Sequence, residues 1–261
     1  MTILEQLAEY AAERVRTAKM SFPEEAVREQ AYALPRGGFE FEKALSRKGL
    51  SFICECKKAS PSKGIIAENF PYLDIARQYD SAGADCISVL TEPKWFLGSD
   101  SYLREIAETV KIPCLRKDFT VDEYMIYEAK TLGSSAVLLI CSILTPAQIE
   151  RYIGICDELG MSALVEAHDE AEVRSAVSAG ARIIGVNNRN LADFTVDTGN
   201  SCKLRELVPE GVLFVSESGV SSRKDTEKLE KVGADAVLVG EALMRAPDIA
   251  AKLRELKGGS V

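Results

Sequence analysis

From residue 51 onward the chain repeats one unit: a short apolar run, a polar turn, and an amphipathic stretch of helical period. A recurring joint punctuates it. Ala82-Gly83-Ala84-Asp85, Leu132-Gly133-Ser134-Ser135, Ala179-Gly180-Ala181 and Val232-Gly233-Ala234-Asp235 each put glycine where a helix needs a left-handed terminator, directly before an apolar run. The pattern predicts strands at 51–56, 86–90, 113–117, 135–140, 162–167, 182–187, 212–217 and 235–239. Helical patterns lie near 70–82, 100–110, 121–132, 145–160, 169–179, 200–208 and 221–231, with a last one over 241–257. Strands separated by helices are parallel, because each crossover must return the chain to the same edge. Eight such units without a linker predict an α/β fold, a single (β/α)8 TIM barrel, and 261 residues suit its size. An open doubly wound sheet is the alternative. It lacks the glycine fingerprint that a dinucleotide site carries after its first strand.

Residues 1–50 read as an N-terminal helical extension packed on the barrel of residues 51–261, one domain overall. Residues 2–19 carry Leu4, Leu7, Ala8, Ala11 and Val15 on one helical face. Residues 23–47 continue as short helical pieces broken at Pro35-Arg36-Gly37-Gly38.

Side chains alternate across a strand, so Ser51, Ile53, Glu55 and Lys57 share one face of the first strand. A parallel strand is covered on both faces, where charge is costly unless paired or used. The same alternation puts Pro113, Leu115 and Lys117 together, then Ser162, Leu164 and Glu166, then Ile183, Gly185 and Asn187, then Leu213, Val215 and Glu217. Each inward series is apolar or small at first and turns polar only at its carboxyl end. Barrel enzymes place their chemistry at that end. Glu55, Lys57, Lys117, Glu166, Asn187 and Glu217 are therefore expected to converge in one mouth. A buried ion-pair network with nothing bound is the structural alternative for any one of them.

Composition removes other chemistries. A single histidine, His168, excludes multi-histidine metal sites and leaves a Ser-His-Asp triad only one route. His168, two residues past Glu166, reads as structural or supporting. The net charge of −8 argues against a nucleic-acid surface. No apolar run approaches the roughly 20 residues of a membrane span, and no signal-peptide pattern opens the chain. The seven cysteines form no CxxC pair and read as small buried hydrophobes in a reducing cytosol, so a cytoplasmic protein is expected.

The mouth has an anion end. Strand seven ends Ser216-Glu217-Ser218-Gly219-Val220 and strand eight ends Val239-Gly240-Glu241-Ala242, each with glycine where backbone approaches a ligand before a helix. Barrels hold phosphate there on backbone N–H groups. The Glu241 carboxylate has to point away for this to work. The loop Ala59-Ser60-Pro61-Ser62-Lys63-Gly64 is polar, turn-rich and able to donate to an anion. Trp95, Phe96 and Phe119, with Pro61 and Leu191, form either an apolar slot for a planar ring or loop-anchoring core.

These residues resemble a known family. E-x-K-x-x-S-P-S-x-G at Glu55–Gly64, S-V-L-T-E at Ser88–Glu92 and L-R-K-D-F at Leu115–Phe119 are similar to indole-3-glycerol-phosphate synthase. So are L-V-E-A-H at Leu164–His168, G-V-N-N-R-N-L at Gly185–Leu191 and S-E-S-G at Ser216–Gly219. The resemblance covers nearly the whole chain, extension included. It implies decarboxylative ring closure and dehydration of 1-(o-carboxyphenylamino)-1-deoxyribulose 5-phosphate to indole-3-glycerol phosphate, with no metal and no organic cofactor. It implies Lys117 as general acid, Glu166 acting on the dehydration as base or through electrostatics, and Lys57 on the anthranilate carboxylate and as a second proton donor, with the order in which the lysines act left open. Glu55 orients the lysines, Asn187 and Glu217 bind sugar hydroxyls, and Arg189, Ser60 and Ser218 contact substrate. A phosphorylated small molecule is the partner, with a monomer or weak homo-oligomer expected. Phosphoribosylanthranilate isomerase and a non-catalytic phosphosugar-binding barrel are the rival readings.

Overall fold

The computed structural model describes residues 2–190 and 194–259. Its barrel strands are β1 (Ser51–Cys56), β2 (Cys86–Leu90), β3 (Cys114–Lys117), β4 (Ala136–Ile140), β5 (Ser162–Ala167), β6 (Ile183–Asn187), β7 (Leu213–Glu217) and β8 (Ala236–Val239). All pair in parallel and close into a barrel in sequence order, with β8 against β1. Each lies within its expected bounds. The glycine of every joint does sit in the left-handed region, with φ of +83° at Gly83 and Gly133, +80° at Gly180 and +74° at Gly233.

The alternation sorts the apolar residues into two layers. Ile53, Cys86, Leu115, Leu164, Ile183 and Val215 fill the barrel lumen. Phe52, Cys54, Ile87, Val165 and Phe214 face outward under the helices. Among the helices, α4 (Tyr72–Ser81), α5 (Asp100–Thr109), α6 (Tyr124–Thr131), α7 (Pro146–Leu159), α8 (Glu170–Ser178), α9 (Gly199–Leu204) and α10 (Arg223–Lys231) follow the expected order. The single helix expected over 241–257 is two, α11 (Glu241–Met244) and α12 (Ile249–Leu256). Pro247 lacks the N–H a continuous helix needs, and Asp248 restarts the chain by accepting from the Ala251 N–H at 2.8 Å.

Three helices precede β1: α1 (Ile3–Ser21), α2 (Glu24–Ala33) and α3 (Glu40–Leu45). Phe41, Ala44 and Leu45 of α3 close the lumen at the amino ends of the strands. At the other end α1 lies across the mouth. Leu7, Ala11 and Val15 are its buried stripe, spaced as a helix burying one face requires. Polar ties fix its position: Arg14 donates to both oxygens of Asp118 at 2.6 and 3.1 Å, and Lys19 donates to Asp122 at 2.9 Å. Tyr10 meets Trp95 edge-on, ring centroids 5.6 Å apart.

Asp118 is buried, which by itself would raise its pKa, but Arg14 and Arg116 outweigh that and hold it below the usual carboxylate range. It also accepts from Thr91 Oγ1 at 2.6 Å and from the Phe119 N–H at 2.8 Å. Removing Arg14 leaves a buried carboxylate short of its main partner. Arg14→Ala should therefore cost about 2–3 kcal/mol at neutral pH, below the full cost of breaking a wholly buried pair because Arg14 is partly exposed. A depressed pKa supplies stability above the unfolded-state value and loses it as pH falls through the folded one. Denaturant titrations should accordingly show the gap between variant and parent narrowing in acid. An unchanged midpoint at pH 7 would mean that α1 is held without any net contribution from the Arg14–Asp118 pair.

Candidate active site

Lys117, the last residue of β3, points into the mouth between two carboxylates from across the barrel. Its Nζ lies 2.9 Å from Glu166 Oε2 and 2.7 Å from Glu217 Oε2. Asn187 Nδ2 donates to the other oxygen of Glu166 at 3.2 Å, and Ser218 Oγ donates to Asn187 Oδ1 at 2.9 Å. Beside this group, Lys57 Nζ donates to Glu55 Oε1 at 2.6 Å, and Ser88 Oγ reaches Glu55 Oε2 at 3.4 Å. Glu55, Glu166 and Glu217 are all buried.

Burial alone would strip the charge from Lys117, but Glu166, Glu217 and Glu55 reverse this and raise its pKa, so it is an ammonium at neutral pH. The two glutamates that share it part company. Burial acts to raise Glu166 as well, yet Lys117 and His168 prevail and hold it below the ordinary carboxylate range. Burial and the like charges of Glu166 and Glu55 push Glu217 up despite Lys117, and its Oε1 has no hydrogen-bond partner among the described residues. The cluster thus presents a charged donor, an ionised carboxylate and a carboxyl of high proton affinity at one spot. Such separation of acid and base strengths suits acid–base catalysis.

Two glycines make this arrangement fit. Gly185 is the register neighbour of Glu166, and a Cβ there would collide with Glu217 Oε1. A Cβ on Gly240 would lie 2.6 Å from Glu55 Oε1 and 3.2 Å from Lys57 Nζ. The space at Gly240 is therefore taken by the paired side chains of β1. At Gly219, with φ +92°, an added Cβ would meet methyl groups of Thr198 and Val196 at 2.6 and 2.7 Å. Its bareness lets the loop after β6 close against the turn after β7.

A cavity of about 700 Å³ opens above the cluster. It is lined by all six of the expected strand-end residues and by Ser60, Pro61, Phe96, Phe119, Arg189, Ser218, Gly219, Gly240 and Glu241. Phe96 and Phe119 stand with ring centroids 6.1 Å apart. Phe96 is set by the buried Glu92, whose carboxylate accepts from the N–H groups of Lys94, Trp95 and Phe96 at 2.8, 2.8 and 2.9 Å. Leu191 lies outside the described residues. Trp95 does not join the wall: it packs on Tyr10, with Lys94 Nζ 4.4 Å from its ring centroid. Glu241 turns to Arg245 Nε at 3.1 Å and to Lys63 Nζ at 4.0 Å.

Ile3, Leu4 and Leu7 roof the cavity, and Lys63 and Arg245 border it at the glycine-turn end. Lys63 lies in the loop expected to donate to an anion; the other four were not expected as site residues. Arg245 had a signal, a cation one helical turn after Glu241. The roof had none, because no strand pattern tells where an extension will dock.

A (β/α)8 barrel that gathers two lysines, three buried glutamates and an asparagine at its strand ends defines a lysine–carboxylate acid–base enzyme. The model of the family described as indole-3-glycerol phosphate synthase matches residues 4–256, and the chain belongs to that family. It is 54% identical over 259 residues to the indole-3-glycerol phosphate synthase of Ruminiclostridium cellulolyticum, covering 99% of this chain and all of that one. The protein of that name from Endomicrobium trichonymphae is 50% identical, covering 98% of this chain and 99% of its own. Among solved structures, 3-hexulose-6-phosphate synthase from Salmonella typhimurium aligns with TM-score 0.65 at 18% identity, over 80% of this chain and 97% of that one, a likeness of fold. The activity is that of a decarboxylating lyase of tryptophan biosynthesis, closing the ring of 1-(o-carboxyphenylamino)-1-deoxyribulose 5-phosphate to give indole-3-glycerol phosphate.

Gly185→Ala tests the packing that holds the cluster. The added methyl should displace the Glu217 carboxylate from Lys117 and lower kcat roughly 10- to 100-fold with the fold retained, since a shift of about 1 Å costs that much. Turnover and circular dichroism of the variant check it. Near-parental turnover would show that Glu217 need not sit where it does.

Proposed function

We infer that Lys117 is the general acid of ring closure. The ring carbon that bears the carboxylate attacks the ribulose carbonyl carbon, a carbon–carbon bond forms, and the carbonyl oxygen takes the Nζ proton. The observation that carries this reading is the Lys117 Nζ held 2.9 and 2.7 Å from two buried glutamates, which keep it protonated in the cavity. Loss of CO2 then restores the aromatic ring, and loss of water completes the indole. Glu166, ionised beside Lys117, is the base of that dehydration. Lys57 meets the anthranilate carboxylate, and Glu55 orients Lys57 by their 2.6 Å contact. Asn187 and Glu217 bind sugar hydroxyls, with Ser218 steadying Asn187.

The aromatic ring lies against Pro61, Phe96 and Phe119 under the apolar roof of α1, aligning ring carbon with carbonyl carbon. Ser60 and Arg189 complete the substrate contacts. The phosphate sits by the turns at Gly219, Gly240 and Glu241, where Lys63 and Arg245 add positive charge. Glu241, already turned to those cations, keeps its carboxylate off the phosphate.

The extension of residues 1–50 belongs with the barrel of 51–261 as one domain, a reading supported by the Arg14–Asp118 tie above and the α3 plug below. A cytoplasmic monomer or weak homo-oligomer fits the family, and seven unpaired cysteines suit a reducing compartment. Among the described residues no helix is long and apolar enough to cross a membrane.

Lys117→Ala should keep the fold and lower turnover by roughly 100- to 10,000-fold, the span for one general acid. Indole fluorescence on mixing with the carboxyphenylamino substrate reads this directly, and a folded variant with near-parental turnover would remove Lys117 from the role. Lys57→Ala should weaken the full substrate more than an analogue lacking the anthranilate carboxylate. Equal losses for the two ligands would mean that Lys57 does not read that group.

A further inference from the structure

His168 is the chain's one histidine, and the mechanism above leaves it unused. It follows Glu166 by two residues, so its side chain leaves β5 on the same side. The ring is pinned through Nδ1, which lies 3.1 Å from Glu172 Oε2 and 3.3 Å from Ser142 Oγ. Glu172 also accepts from the His168 backbone N–H at 2.8 Å, and Asn200 Nδ2 donates to the His168 carbonyl at 3.0 Å. Backbone and ring are thus both fixed, and the remaining nitrogen has a set direction. His168 Nε2 is buried, lies 3.4 Å from Glu166 Oε1, and makes no aligned hydrogen bond among the described residues.

That geometry has a chemical meaning. Nδ1 facing a carboxylate is the protonated nitrogen, so in a neutral ring Nε2 turns a lone pair toward Glu166. Two acceptors then face each other in a dry site. Protonating Nε2 turns this repulsion into a charge-assisted hydrogen bond.

We propose that His168 is a positioning residue for Glu166, its protonated Nε2 closing onto Oε1 so that Oε2 stays on Lys117. Oε1 would then be held from two sides, by His168 and by the Asn187 amide. Burial would discharge the ring, but the hydrogen bond to Glu172 on α8 and the carboxyls of Glu166 on β5 and Glu217 on β7 outweigh it, so its pKa is raised. Lys117, the cation that shares Glu166 at 2.9 Å, acts in the opposite sense on the ring. This inference rests on Glu166 being the dehydration base, but its core is a coupling that can be measured without the reaction.

Coupling between two titrating sites is reciprocal, so each must shift the other by the same amount. The single imidazole gives unambiguous NMR resonances. Its titration midpoint should fall by about half a unit or more in Glu166→Gln relative to the parent protein. A similar fall is expected in Glu172→Gln. In His168→Gln the acid limb of the kcat/KM–pH profile should rise by a matching amount, because Glu166 loses a cation, while KM changes less than about twofold. A His168 midpoint that is identical in parent and Glu166→Gln overturns the proposal, and so does a superimposable pH profile in a folded His168→Gln. The NMR arm keeps the histidine, so it stands even where His168→Gln does not fold. Full turnover in Glu166→Gln would instead remove Glu166 as the base and leave the measured coupling intact.

Discussion

The structure turns on one ammonium group held between two buried glutamates. Lys117 ends a strand whose neighbours along the chain point the other way. Arg116 goes outward into a buried network with Asp100 and Glu128, and Asp118 goes up to α1 through Arg14. Three consecutive charged residues thus serve the helical layer, the reaction centre and the roof, each in a separate direction. Unpaired, any of them would be costly at this depth. Paired, they tie the extension, the strand and the site into one electrostatic system.

Glycine is the complement of that charge. Glu217 can reach Lys117 only because Gly185 on the adjacent strand carries no side chain, and the Glu55–Lys57 pair occupies the space beside Gly240. The barrel closes the same strands that carry the ionisable groups, so room for a carboxylate must come from a neighbouring residue. Carboxylates in such a setting do not titrate alike. Glu166 has a lysine, an asparagine and a nearby imidazole, whereas one oxygen of Glu217 has no hydrogen-bond partner among the described residues. That asymmetry is what gives a set of similar groups different tasks.

The apolar half of the site is assembled from distant parts. Phe96 and Phe119 come from the loops after β2 and β3, and the roof comes from the first turns of α1. Lys57 lines one part of this cavity and Lys63 with Arg245 another, while the aromatic and apolar residues line the space between helix α1 and the strand ends. Shielding strengthens each charge interaction and aligns the reacting carbons.

Period and punctuation in the sequence determined the barrel, since strand runs, crossover helices and left-handed joints recur at regular spacing. Alternation along each strand determined which polar residues face inward, and so Lys117, Glu166, Asn187 and Glu217 were legible before any contact was known. Pro247 shows the limit of periodicity: the apolar pattern runs on through it, but the missing N–H divides the helix. Who pairs with whom was decided by tertiary structure alone. Lys117 meets Glu166 and Glu217 only when β3, β5 and β7 are brought round the barrel, across separations of 49 and 100 residues. The same closure sends Trp95 to Tyr10 rather than into the wall, and turns Gly185 from a gap in a motif into space for Glu217. Local sequence sets the direction a side chain takes from its strand; the group it meets there depends on a closed surface that no single segment contains.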